Sequence, residues 1–144
     1  MKISIGGDHA GYQLKTVLKE HLCSLGHTVT DRGADSEASV DYPDFGHAVA
    51  ADVVGGVAQF GVLVCSSGVG ISIAANKVRG VRAALCMNED IAEFSRRHND
   101  ANIACFGQKY TTADMAKKYL SIFLSTAFEG GRHARRVGKI ELGC

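Results

Sequence analysis

The chain has 144 residues, of which 46% are apolar and 22% charged, and its formal net charge is +1. These values are typical of one soluble globular domain, and a nearly neutral chain offers no field that would attract nucleic acid or a membrane surface. No segment approaches the roughly 18 apolar residues that a membrane span requires. The five cysteines include no CxxC pair, which argues against a disulfide framework or a zinc site. We therefore expect a single cytoplasmic domain over residues 1–144, without a metal.

The chain alternates between predicted strands and predicted helices. Short apolar runs predict strands at 3–5, 28–30, 61–65, 81–86 and 103–106. Apolar residues at helical spacing predict three helices at about 14–25, 45–54 and 112–128. Three further helices are predicted: one that ends at about 77, one that begins after the capping residue Asn88, and one that begins at 132. A polar loop is expected at 32–44, which contains Pro43, and Ile91 and Phe94 are expected to point into the core. This pattern predicts an α/β fold: one doubly wound, Rossmann-like domain whose five-stranded parallel sheet is flanked by helices, with an extra C-terminal helix.

The most informative stretch is 62–77, where a buried apolar strand ends at Cys65 and a small-residue loop opens a helix. In a parallel sheet this arrangement places a thiol at the carboxyl end of a strand, beside the positive end of a helix dipole. Free backbone N–H groups at such a position attract anions and favour the thiolate form of a cysteine. The alternative interpretation is a Gly/Ser turn that follows a small apolar cysteine with no chemical role.

Ligands of doubly wound sheets bind at the carboxyl ends of the strands, near the switch in strand order. Four polar segments are expected to gather at this edge, namely 6–11, 65–70, 98–100 and Lys109. Their concentration at one edge predicts a binding site there.

These loops do not fit the common nucleotide and phosphatase motifs. A dinucleotide fingerprint on Gly68-Val69-Gly70 would need Gly or Ala where Ile73 stands, and a P-loop after the first strand would need Lys where Tyr12 stands. A phosphatase loop that begins at Cys65 would need arginine where Ile71 stands. The mismatches favour a small anionic ligand with different chemistry.

A basic segment near the C-terminus offers a counter-charge for such an anion. Arg132 and Arg136 are four residues apart, so on a helix they share one face and could both contact a single phosphate. The alternative is a solvated basic face that also includes Arg135 and Lys139. Gly130-Gly131 favours phosphate binding, because a glycine hinge turns this helix away from the preceding one, where it could reach a second subunit.

Five segments form one pattern in fixed order: Gly7-Asp8-His9-Ala10-Gly11, Asp41-Tyr42-Pro43, residues 65–77, Ser95-Arg96-Arg97-His98-Asn99-Asp100 and Glu129-Gly130-Gly131-Arg132-His133. In order and spacing they closely resemble the ribose-5-phosphate isomerase B family, which also contains allose-6-phosphate and galactose-6-phosphate isomerases. The resemblance implies aldose–ketose isomerisation of a sugar phosphate through an enediolate and without a cofactor. The pathway could be pentose phosphate metabolism or the catabolism of a rarer sugar. It also implies a homodimer or tetramer in which the neighbouring subunit completes each active site.

The resemblance assigns the catalytic positions. Cys65 matches the base that removes the C2 proton, and Ser67 stands where a hydroxyl, usually that of threonine, relays a proton between O1 and O2. His98 matches the residue that opens the furanose ring, a task suited to a group with an ordinary pKa of about 6.5. Asp8 matches the residue that orients the sugar and assists ring opening.

The resemblance also assigns the substrate-binding positions. The enediolate oxygen would be held by the backbone N–H groups of Ser66, Ser67, Gly68, Val69 and Gly70, where one such donor can contribute about 3 kcal/mol. The phosphate would be held by His9, Lys109, Arg132 and Arg136. Lys109 stands where arginine is common, so a forked contact there becomes a point charge. Asn99 and Tyr42 match positions that contact substrate hydroxyls.

Other interpretations remain open at the level of sequence. The substrate could be a hexose 6-phosphate, either allose or galactose, and the chain could be a sugar-phosphate-binding module without catalysis, because fold alone does not determine function. His21 is expected to be packed, while His47 and His133 could approach the cleft. Cys86 and Cys105 are expected to be inert core thiols.

Overall fold

A computed structural model of the chain describes residues 1–141, so Cys144 lies outside the described residues. The strands are β1 (Lys2–Gly7), β2 (Thr28–Asp31), β3 (Phe60–Cys65), β4 (Ala83–Leu85) and β5 (Ile103–Gly107). The helices are α1 (Tyr12–Ser24), α2 (Tyr42–Val54), α3 (Val69–Asn76), α4 (Glu89–Arg97), α5 (Ala113–Ser125) and α6 (Arg132–Val137), with a 3-10 turn at His9–Gly11. All strand pairs are parallel, in the order β2-β1-β3-β5-β4. The predicted α/β class and five-stranded parallel sheet are confirmed.

The sheet has an apolar core on each face, because successive strand residues point to opposite sides. On β3, Val62 and Val64 pack with α1, α4 and α5, whereas Leu63 and Cys65 pack with α2 and α3. All four side chains are buried. This covering of both faces explains why β3 is a continuous apolar run rather than an alternating one.

The strand order changes direction between β1 and β3. The chain first moves outward from β1 to β2 and then returns to β3 on the other side of β1, so the carboxyl ends of β1 and β3 lie side by side. A Cβ atom on Gly11 would lie 2.4 Å from the carbonyl oxygen of Val64, so only glycine permits this approach. The chain that leaves β1 therefore crosses directly over the end of β3.

Several predicted boundaries differ from the structure, and those of α2, β4 and α5 have clear physical reasons. α2 begins at Tyr42 rather than at 45, because Pro43 lies in the first helical turn, where its missing N–H is not needed. β4 is confined to Ala83–Leu85, since the N–H of Val81 closes a turn onto Val78. α5 ends at Ser125, because the backbone of Thr126 is extended.

The prediction that Ile91 and Phe94 point inward was also wrong. They are 39% and 41% exposed, while α4 buries Ala92, Ser95 and Arg96. The guanidinium of Arg96 lies 4.9 Å from the centre of the Phe60 ring, and this contact turns the basic side of the helix toward the sheet. None of the helices within residues 1–141 is long and apolar enough to cross a membrane.

A buried carboxylate links the first strand to α2. Asp52 is 5% exposed, and its Oδ2 accepts hydrogen bonds from Ser4 Oγ at 2.6 Å and from Arg32 Nε at 2.7 Å. The hydrogen bond from Arg32, reinforced by that from Ser4, holds the pKa of Asp52 below its usual range. A carboxylate whose pKa is lower in the folded state stabilises the protein above the unfolded-state pKa and loses this contribution as pH falls through the folded-state pKa.

We expect Asp52→Asn to destabilise the protein by about 1–3 kcal/mol at pH 7, because a charge-assisted pair becomes a neutral one. The difference should shrink as pH falls below about 4, because Asp52 takes up a proton first in the unfolded chain and, at still lower pH, in the folded protein. Urea unfolding at several pH values measures both effects. The exposed Asp35→Asn variant serves as control; an equal loss in both variants would contradict the role assigned to Asp52.

Candidate active site in two halves

The carboxyl edge of the sheet brings together the first half of the candidate site. Cys65 ends β3 and is 4% exposed, and Asp8 follows β1 and is 6% exposed. The N–H of Asp8 donates to the carbonyl of Val64 at 3.3 Å, and its Oδ1 accepts from the N–H of Gly11 at 3.0 Å. These bonds fix the carboxylate beside the strand end that carries the thiol, as predicted.

The loop after Cys65 folds back onto the thiol. Gly68 has φ of +78°, a left-handed conformation that turns its N–H toward Cys65, and this N–H donates to Sγ at 3.1 Å. A donor at this distance stabilises negative charge on the sulfur. The N–H of Val69 is also occupied, since it donates to Ser67 Oγ at 3.3 Å.

These two bonds correct the predicted set of oxyanion donors. Five N–H groups were expected to face the ligand, but those of Gly68 and Val69 already serve Sγ and Ser67 Oγ. The N–H of Gly70 lies in the first turn of α3, where backbone donors have no acceptor within the helix. The donors suited to an oxyanion are therefore those of Ser66, Ser67 and Gly70.

The end of β5 and the residues that follow it contact the backbone of this loop. The N–H groups of Gln108 and Lys109 donate to the carbonyls of Cys65 and Ser66 at 3.0 and 3.1 Å. A Cβ on Gly107 would come within 2.5 Å of the Ser67 carbonyl oxygen, so the two backbones are in direct contact. Lys109 is exposed beside Ser66, at the edge where it was predicted.

Two more predicted residues border this half. Tyr42, at the start of α2, is 39% exposed, and a Cβ on Gly70 would come within 2.8 Å of its Cζ, so the ring lies against the N-terminus of α3. Nδ1 of His9 lies 3.2 Å from both the N and the O of Val40, which fixes the imidazole beside Asp8. The carboxyl edge thus combines a thiol, a carboxylate, backbone donors and two basic side chains.

The prediction that residues 98–100 join this edge was wrong. α4 carries the chain back to the amino edge, and the segment leads straight into β5. The carbonyl of Asn102 accepts from the N–H of Gly61, which is the residue paired with Ile103 near the start of β3. His98 and Asn99 therefore lie at the amino ends of the strands.

Asp100 holds this second half in place. Its backbone has φ of +47°, and its carboxylate accepts from Arg96 at 2.8 Å and from Arg82 at 3.0 Å. The Nε of Arg82 also donates to the backbone carbonyls of Asn99 and Asp100. The turn that carries His98 is thereby fixed to the sheet.

α6 lies at the same amino edge, because His133 stacks on His98 with ring centres 4.2 Å apart. Arg132 and Arg136 are exposed, and neither has a carboxylate partner within residues 1–141. The second half of the candidate site is therefore cationic.

The two halves do not meet within one chain. Cys65 lies at the carboxyl end of β3, whereas His98 lies beside the amino end of β5, its parallel neighbour. Strands of this length separate the two edges by about 15–20 Å. Chemistry that uses both Cys65 and His98 on one small molecule requires a second copy of the chain.

The sequence patterns did not indicate Glu129 by itself as a site residue, and they indicated His133 only as a residue that could approach the cleft. With His98 they form the one group among the described residues that has the spacing of metal ligands, with atoms within 4.8 Å. Imidazole binds a metal in the plane of its ring, and the two rings are stacked within 5° of parallel, so no metal position satisfies both planes. The arrangement does not suit a metal held by both histidines.

The other buried cysteines differ from Cys65. Burial raises the pKa of Cys86 to about 12 and that of Cys105 well above its usual range. Both thiols lie inside the core, where burial disfavours the reactive thiolate form. This is the physical reason to expect that neither thiol is reactive.

Comparison with known proteins links this fold to one family. Residues 3–140 match the Ribose/Galactose Isomerase family model. The chain is 43% identical over 139 residues to ribose-5-phosphate isomerase B of Escherichia coli K12, covering 96% of this chain and 93% of that protein. It is 42% identical over 141 residues to a putative sugar phosphate isomerase of Bacillus subtilis, covering 97% and 95%.

Solved structures agree with the sequence relatives. Ribose-5-phosphate isomerase B of Clostridium thermocellum superposes with a TM-score of 0.96 at 50% identity, covering 97% of this chain and 95% of that one. A ribose 5-phosphate isomerase from Thermotoga maritima gives a TM-score of 0.95 at 47% identity, covering 96% of both chains.

We expect Gly68→Ala to destabilise the protein by about 2–4 kcal/mol, because the left-handed backbone disfavours a side chain and the new Cβ would meet Phe106. The Cβ would lie 2.9 Å from the backbone carbonyl carbon of Phe106. Gly26→Ala is the matched control, since Gly26 has φ of +81° and nothing within 4 Å of its Cβ position. Urea unfolding should give a smaller loss for Gly26→Ala; equal losses would remove the steric argument.

Proposed function

The chain belongs to the ribose/galactose isomerase family, and on that premise we propose that it interconverts ribose 5-phosphate and ribulose 5-phosphate through an enediolate. The observation that carries the proposal is the Cys65 thiol at the carboxyl end of β3, with the Gly68 N–H 3.1 Å from Sγ. A binding module would gain nothing from a thiol stabilised in this way. The proposed steps need only side chains and backbone groups, with no cofactor.

Cys65 is the base in this proposal. Its thiolate removes the proton from C2 of the open-chain aldose, the electron pair of the C–H bond forms the C1–C2 double bond, and the π pair of the C1 carbonyl moves onto O1 to give the enediolate. The same proton, or one from solvent, is then delivered to C1 to give the ketose. The Gly68 N–H supports this step, because it favours the thiolate that accepts the proton.

The backbone of the loop stabilises the enediolate. In this step the N–H groups of Ser66, Ser67 and Gly70 donate to O1 and O2 as negative charge develops there, and one such donor contributes about 3 kcal/mol. The hydroxyl of Ser67 moves the proton between these two oxygens. Its Oγ accepts from the Val69 N–H, which leaves its own O–H free to donate.

Ring opening uses His98 of a second copy together with Asp8. The C1–O4 bond of the furanose breaks, O4 takes a proton from the imidazolium of His98, and O1 loses its proton to the Asp8 carboxylate as the C1 carbonyl forms. Asp8 is buried beside Cys65, so the aldehyde forms next to the base. Asn99 and Tyr42 are placed to contact the sugar hydroxyls.

The phosphate is held by cations from both edges. His9 and Lys109 stand at the carboxyl edge, while Arg132 and Arg136 extend from α6 at the amino edge. The two arginines are exposed and four residues apart, so both can fork onto one phosphate.

A homodimer is the smallest assembly that supports this mechanism. The separation of the two halves by the length of the sheet favours a composite site in which one chain supplies Cys65 and its partner supplies His98. A two-fold dimer would contain two such sites, because each chain offers both edges.

We expect Cys65→Ala to lower kcat for ribose 5-phosphate by about 10³-fold or more, because alanine removes the base assigned to the C2 proton. Binding of ribose 5-phosphate, measured by calorimetry, should change by no more than about threefold. Cys105→Ala is the matched control, since it also removes a buried thiol from the same face of the sheet. Near-normal turnover by Cys65→Ala would overturn the thiolate mechanism.

Mixed dimers test the composite site. Cys65→Ala and His98→Asn chains should each be inactive with ribose 5-phosphate. Unfolding and refolding them together in equal amounts should restore about a quarter of wild-type activity, because half of the dimers are mixed and each mixed dimer has one intact site of two. If the mixture stays inactive while it forms dimers by sedimentation, Cys65 and His98 do not act across the interface.

A further inference from the structure

The imidazole of His98 lies between two other rings. Phe94, one turn earlier on α4, stacks on one face with a centroid distance of 4.9 Å and an interplanar angle of 14°. His133, from α6, stacks on the other face at 4.2 Å and 5°. Both faces of the His98 ring are therefore covered, and only its edge can meet a substrate.

His133 is placed as a neutral aromatic surface. It is 5% exposed, and its Nε2 is buried without a hydrogen-bond partner in residues 1–141; the nearest carboxylate oxygen, on Glu129, is 4.0 Å away. Burial lowers the pKa of His133, and the neighbouring His98 adds to this effect. An unpaired buried nitrogen costs stability, so packing alone does not explain a histidine here. A leucine would fill the space but would offer no flat face to His98.

The charged groups around the stack lie differently about its two histidines. Oε2 of Glu129 lies 3.8 Å from His98 Nε2, and Arg97 holds this carboxylate through a 3.0 Å hydrogen bond from Nε. Arg132 and Arg136 of α6 disfavour a proton on His133. The His98 side chain is 34% exposed and that of His133 is 6% exposed, so His98 is the member of the pair that a ligand can reach.

We propose that His133 and Phe94 are positioning residues, which clamp the His98 ring so that its edge meets the ring oxygen of a furanose bound in the partner's cleft. This inference rests on the proposed ring-opening role of His98. The clamp acts on ring opening alone, because Cys65 and the loop that follows it lie at the other edge of the chain. Loss of the clamp should therefore slow the furanose reaction and spare enediolate formation.

Ribulose 5-phosphate separates these two steps. Its C5 oxygen carries the phosphate, so it cannot close a furanose ring, and Cys65 can form the enediolate from it directly. Deuterium that enters C1 of ribulose 5-phosphate in D2O reports enediolate formation. Net conversion of ribose 5-phosphate reports ring opening as well.

The decisive variants are His133→Leu, which fills the space without a flat face, and His133→Phe, which restores one. We expect His133→Leu to lower net conversion of ribose 5-phosphate by about 10–100-fold, since a ring displaced by about 1 Å loses the aligned geometry. Its deuterium exchange should stay within about threefold of wild type, and His133→Phe should stay within about threefold in both assays. Phe94→Leu should repeat the selective loss, and because Phe94 is 41% exposed this variant keeps the core intact.

Each outcome separates the clamp from the proposed function. Equal losses of net conversion and deuterium exchange in the leucine variants would overturn the clamp. Normal net conversion by folded His133→Leu and Phe94→Leu would also overturn it, as would a loss of net conversion by folded His133→Phe. His98→Asn sets the benchmark: it should lose net conversion and keep exchange. If His98→Asn converts ribose 5-phosphate normally, or Cys65→Ala keeps exchange, the proposed function itself is wrong.

Discussion

The parallel direction of β1, β3 and β5 decides where every candidate functional side chain of this protein lies. Because the strands run the same way, each helix must return the chain to the amino edge before the next strand begins. Residues that follow a strand gather at one edge, and residues that follow a helix gather at the other. The register that pairs Gly7 with Val64 and Cys65 with Gly107 keeps the three strand ends level, so their loops can touch.

That convergence, rather than residue type, distinguishes Cys65 from the other buried cysteines. Cys105 lies on the neighbouring strand and Cys86 just beyond β4, and burial raises the pKa of both thiols. Cys65 ends its strand where Gly68 turns a backbone N–H toward the sulfur. The N–H groups of Gly68 and Val69 donate to Cys65 Sγ and to Ser67 Oγ, so neither is available to a ligand.

The amino edge is held by charges instead of backbone turns. Arg96 is 8% exposed and bonds both the Asp100 carboxylate and the carbonyl of Ala101, while Arg82 joins from the start of β4. The Asp100 side chain is 34% exposed but is paired with two arginines, so several bonds hold the turn that presents His98. The exposed arginines of α6 beside it lie outside these internal ion pairs, which suits them to an anion that arrives from another molecule.

Apolar spacing, caps and turn residues determined most of the elements from the sequence alone, because they depend on contacts within a few residues. The Asn88 cap of α4 and the position of Cys65 at the end of β3 are confirmed. The sequence also contains the signal that places His98 at the amino edge, since this residue follows a helix in a β-α-β unit, although the polar character of residues 98–100 suggested the other edge.

Only the tertiary structure decided the strand order, in which β5 lies between β3 and β4. It also decided which side of α4 faces the sheet. Arg96 packs on Phe60 while Phe94 covers His98, an exchange of apolar and charged faces that local periodicity cannot predict. The stacking of His133 on His98 likewise brings together two residues that are 35 positions apart in the sequence. Sequence spacing reports which residues share a face of one element, whereas the partner of that face depends on long-range packing.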